Sequence, residues 1–81
     1  MPKLKVLSGQ DLVKIFTVFG FIMVSQKGSH MKLRRVLASG HKQILTIPAH
    51  KEIDKGLLRA ILKQSSEFIS TQELDKYFYS E

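Results

Sequence analysis

His30, His41 and His50 are the only side chains here whose ordinary pKa lies near neutrality, and no cysteine accompanies them. Imidazoles offer two kinds of chemistry, metal ligation and proton transfer. A metal site needs three or four donors converging from fixed positions. The chain has no His-x-x-x-His pair and no thiol, and its few acids lie elsewhere in sequence. His30 and His50 could meet across a small sheet, but solvated or structural histidines are the default expectation, with no metal and no cofactor. The lack of cysteine also excludes disulfides, thiolate nucleophiles and sulfur-ligated zinc.

Hydrolytic triads fare no better. Ser29 and His30 are adjacent, so in a strand they point to opposite faces and cannot readily pair as nucleophile and base. Neither a Gly-x-Ser-x-Gly elbow nor a phosphate-cradling glycine-rich loop is present. RNA cleavage asks for less. RNA carries its own nucleophile, the 2′-hydroxyl, so a general base, a general acid and a cation near the phosphate suffice. An imidazole of ordinary pKa, near ~6.5, exchanges protons at physiological pH. Lys27, Lys32, Arg34 and Arg35 surround His30 in sequence.

The charge distribution suits a polyanion. The net charge is +6, and residues 1–60 carry eleven Lys or Arg against three acids. No acid occurs between Leu12 and Lys51. Each phosphate neutralised by such a stretch releases counterions and favours binding. A solvated face that keeps a small protein soluble accounts for the same composition. The apolar run Val18 to Val24 is interrupted by Gly20 and falls short of the ~20 residues a membrane span needs. The N-terminus lacks the features of a signal peptide, so a cytoplasmic protein is expected.

Several elements must position these groups. Ser8-Gly9-Gln10-Asp11 offers a hydroxyl cap with an acid three residues later, and Leu12, Ile15, Phe16 and Phe19 recur at helical spacing. The predicted first helix spans about 8–19 and ends at Gly20. Phe21 to Lys27 suits a strand broken by Gly28. His30 to Leu37 alternates, with Met31, Leu33 and Arg35 on one face and His30, Lys32, Arg34 and Val36 on the other. Gln43 to Ile47 makes a third strand, ended by Pro48.

Asp54 caps an amphipathic helix bearing Leu57, Leu58, Ile61 and Leu62, which Ser65-Ser66 interrupts. Ser70-Thr71-Gln72-Glu73 reads as a capping box for a short last helix with Leu74 and Phe78. The order predicts an α+β domain over residues 1–81, with helices covering one face of a three-stranded antiparallel sheet. Gly28-Ser29-His30-Met31 is also a common remnant of a cleaved tag. The helix and strand that precede it argue that it is native.

Four stretches, "LSGQDLVKIFTVFGF", "QKGSHMKL", "LTIPAHKEIDKGLLRAILKQ" and "FISTQEL", together resemble the HicA family of bacterial and archaeal toxins, from Pro2 to about Phe78. The combination is specific although no single piece is. The resemblance implies a fold like the double-stranded RNA-binding domain (dsRBD), in helix–strand–strand–strand–helix order with a short C-terminal helix. It implies a metal-independent endoribonuclease that arrests translation by cutting mRNA, and a HicB-type antitoxin that masks it. The toxin alone is expected to be a monomer, with no membrane partner. The family's catalytic histidine falls on His30, with Lys27, Gly28, Ser29, Lys32, Arg34 and Arg35 expected against the RNA. His50 matches a family position expected to cap or pack, and Lys55-Gly56 opens the second helix, where a phosphate could sit. Two stretches depart from the family pattern, "VLASGHKQ" between the last two strands and "KQSSEFIS" before the last helix. The rival readings are a non-catalytic double-stranded RNA-binding module and a degenerate toxin that only binds its antitoxin.

Overall fold

The computed structural model describes residues 3–80. Its elements are β1 (Lys3–Leu4), α1 (Gly9–Val18), β2 (Ile22–Lys27), β3 (His30–Val36), β4 (Lys42–Pro48), α2 (Lys55–Ser65), α3 (Thr71–Phe78) and β5 (Tyr79–Ser80). The three long strands form an antiparallel sheet in the order β2-β3-β4. This is the α+β, dsRBD-like layout that the sequence predicts.

The caps behave as local chemistry dictates. Ser8 Oγ accepts from the Asp11 amide at 3.0 Å, and the Asp11 carboxylate accepts from the Ser8 amide at 2.9 Å, closing a reciprocal box. Asp54 Oδ1 accepts from the Leu57 amide at 2.9 Å. At α3 only half of the expected box forms. Ser70 Oγ accepts from the Glu73 amide, while the Glu73 carboxylate turns instead to Lys76, 3.5 Å away. Ser65 is fully buried and ends α2, its hydroxyl donating to the Leu62 carbonyl.

Packing follows the two periods. Leu12, Ile15 and Phe16 of α1, Leu58 and Ile61 of α2, and Leu74 and Phe78 of α3 are buried. They share one core with Met31 and Leu33 of β3 and Leu45 and Ile47 of β4. Phe16 lies at its centre, with ring centroids 6.0 Å from Phe21 and 6.1 Å from Phe78. Where α1 begins, a Cβ on Gly9 would overlap the Pro48 carbonyl oxygen. Glycine lets the helix start sit directly against the end of β4, and the Gly9 amide donates to the His50 carbonyl at 2.8 Å.

Two features are absent from the sequence reading. β1 and β5 pair antiparallel, Lys3 with Ser80 and Leu4 with Tyr79, and so join the two ends of the described chain. A two-residue ladder has no periodicity to betray it. In β2 the register shifts between Met23 and Ser25, which leaves Val24 as an extra, unpaired residue.

Candidate nucleic-acid interface

The face of the sheet away from the helices is open. Directly opposed residues of an antiparallel pair share a face, so the register defines its rows. Lys27, His30 and Pro48 form the first row, Ser25, Lys32 and Thr46 the second, and Ile22, Arg34 and Ile44 the third. Ser25, Lys27, His30, Lys32 and Thr46 line a shallow depression. His30 therefore stands exposed in a depression that it shares with two lysines and two hydroxyls.

The hairpin turn sets His30 in place. Two residues separate β2 from β3, and the first, Gly28, has φ +56°. No residue but glycine has positive φ among those described, so Ser29 does not, and the pattern is that of a type II′ turn. The Ser29 carbonyl accepts from the Ala49 amide at 2.6 Å, which pins the turn to the chain leaving β4. Gly28 and Ser29 thus act on His30 through backbone geometry.

The residues expected against RNA divide into two groups. Lys27 and Lys32 line the depression with His30, and Arg34 shares their face one row further on. Arg35, grouped with them by nearness in sequence, lies on the opposite, helix-covered face. Its guanidinium donates to Gln43 Oε1 at 2.8 Å and to the carbonyls of Phe19 and Phe68 at 2.9 Å each, and it rests 4.9 Å from the centroid of the Phe21 ring. Those contacts tie together the end of α1, β4 and the link between α2 and α3, and they occupy the fork that would otherwise hold a phosphate.

His50 contributes its backbone carbonyl to α1, and its side chain is exposed. The start of α2 already has an anion, because the Asp54 carboxylate occupies the position a phosphate would take. Among the described residues, no three of His, Cys, Asp and Glu converge as a metal site would require.

Ser25 and Thr46 escaped the sequence reading. They reach the depression only through register, since the extra residue Val24 re-phases β2 and the β3–β4 hairpin sets Thr46 against Lys32. Nothing in a local window reports either.

A three-stranded antiparallel sheet backed by helices on one face and basic on the other makes this an α+β, dsRBD-like domain. The family model described as "HicA toxin of bacterial toxin-antitoxin" matches residues 9–66, which cover α1, the whole sheet and α2. The chain belongs to the HicA toxin family, and is thus a toxin of a toxin–antitoxin pair. No curated protein and no solved structure matches it significantly.

Proposed function

We propose that this toxin is an endoribonuclease that cuts mRNA, with His30 as the proton-transferring group and Lys27 and Lys32 as the cations that hold the phosphate. The observation that carries the reading is the single exposed imidazole between two lysines on an open face whose strands contain no acid. Family membership adds that the protein acts as a toxin with an antitoxin partner. Translation arrest would follow from loss of message.

The chemistry needs no metal. A substrate 2′-hydroxyl loses its proton as its oxygen bonds to the adjacent phosphorus. The bond from phosphorus to the 5′-oxygen breaks, and that oxygen takes up a proton. The products are a 2′,3′-cyclic phosphate and a 5′-hydroxyl end. His30 serves one of the two proton transfers, and the two lysine ammonium groups stabilise the charge that builds on the phosphoryl oxygens. The hydroxyls of Ser25 and Thr46 are placed to hydrogen-bond phosphate or ribose oxygens. Contacts of this kind hold the backbone and read little sequence.

His30→Ala tests the assignment. Its ring is exposed, so the variant should fold as stably as wild type. It should lose cleavage of single-stranded RNA and toxicity on expression. Full cleavage by the variant would sink the role of His30. Binding of RNA duplex without turnover by the wild type, from pH 6 to 8, would favour the non-catalytic module.

A further inference from the structure

The open face of the sheet has two unlike halves. The half bearing His30 is polar and basic. Beyond it the third row sets Arg34 between Ile22 and Ile44, and Val36 follows in β3. Ile22 is 58% exposed and Val36 54%, although both are large and apolar. The shift at Val24 is what turns Ile22 rather than Met23 toward Arg34. Ile22 and Ile44 oppose the arginine in register, and its Nε is buried with no hydrogen-bond partner among the described residues. A buried donor left unpaired carries a cost, which Arg34 sheds if its side chain shifts to meet an acceptor from outside.

We infer that Ile22, Ile44 and Val36 around Arg34 form the anchor for the antitoxin, which presents apolar side chains to the three aliphatic residues and a carboxylate to the guanidinium. This rests on the toxin reading above and names a surface distinct from the residues that hold the RNA phosphate. Three occupants compete for the patch. RNA could place a phosphate on Arg34, but the aliphatic residues would gain little from ribose and phosphate. Neither the row of Arg34 nor that of Lys32 carries an aromatic ring on which a base could stack. A second copy of the chain would bring Arg34 against Arg34 across a twofold axis, with Lys32 close by and no acid between Leu12 and Lys51 to relieve the repulsion. A protein carrying both acidic and apolar groups satisfies every residue of the patch. Seated there, it borders the row that holds Lys32, so it would extend over His30 and shut out RNA.

The test is the double variant Ile22→Thr/Ile44→Thr, which keeps β-branched residues on the strands and removes apolar contact area. Three quantities are measured for wild type and variant. These are affinity for the purified paired antitoxin, cleavage of a single-stranded RNA, and oligomeric state of the toxin alone by sedimentation. The expected result is antitoxin binding weakened roughly ten- to a hundredfold, as for loss of buried interface anchors, with RNA cleavage unchanged and the toxin monomeric. In cells the variant would remain toxic despite antitoxin co-expression. Unchanged antitoxin affinity overturns the proposal. So does a parallel loss of RNA cleavage in a folded variant, which would make the patch part of the RNA site. A wild-type dimer that the substitutions dissociate would assign the patch to self-association and overturn it too. A wild type that binds antitoxin here but cuts no RNA would refute the ribonuclease reading and leave the anchor standing.

Discussion

Replacing Arg35 with methionine removes the guanidinium and keeps most of the aliphatic stem. Three hydrogen bonds of 2.8–2.9 Å disappear, two of them to main-chain carbonyls that no other side chain reaches among the described residues. A hydrogen bond from a charged donor is worth about 1.5–3 kcal/mol when buried. Arg35 is half-buried, so water recovers part of that, and about 1 kcal/mol per bond is the fitting figure. Loss of the contact with the Phe21 ring contributes about 0.5 kcal/mol more. The expected destabilisation is therefore about 3.5 kcal/mol, out of the roughly 4–12 kcal/mol that a chain of this size commands. Because 1 kcal/mol moves the melting point of so small a domain by about 4–8 °C, Tm should fall by about 14–28 °C. Arg35→Lys should lie between, since an ammonium cannot span three acceptors held in a planar fork. Thermal melts followed by circular dichroism read the shift, and RNA affinity is measured well below the lower Tm. A Tm within 3 °C of wild type, combined with a loss of RNA affinity like that of Lys32→Ala, would refute the placement of Arg35 as a clamp.

Two further outcomes follow from the same geometry. The Ser8 amide, the Ser8 hydroxyl and the nearby Lys14 charge, in that order, hold the Asp11 carboxyl below its ordinary value of 3.8. A lowered folded pKa gives stability that is present above the unfolded value and lost as pH falls through the folded one. Asp11→Asn should therefore lower Tm by about 2–4 °C at pH 7, and the two proteins should converge toward pH 3. A gap independent of pH would show that the charge contributes nothing. The second concerns Lys27 and Lys32, examined in a His30→Ala background that binds RNA without cutting it. Replacing both by alanine should flatten the dependence of log affinity on log salt by about 1.4, the value for two lost contacts to a single strand. An unchanged salt slope would remove the lysines from the phosphate site.

The sequence alone carried the three helices and the three long strands, their order and the sheet face of His30. Each of these is decided within one or two turns of chain. The box of Ser8 and Asp11, the apolar repeat through Leu12, Ile15 and Phe16, and the alternation from His30 to Val36 are local statements that hold before any packing occurs. The quoted motifs likewise sufficed for the HicA resemblance, which the match over residues 9–66 bears out. What required the folded molecule is whatever depends on contacts between distant segments. Arg35 differs from Arg34 by one position, and the pleat sends it to Phe19 and Phe68, 16 and 33 residues away. Val24 is one unpaired residue in a run that reads as an unbroken strand, yet it decides that Ser25 faces Lys32 and Ile22 faces Arg34. Strand identity is written in side-chain preference, whereas register is a choice between pairings that look alike locally and differ only in which side chains the other strands and helices then bury.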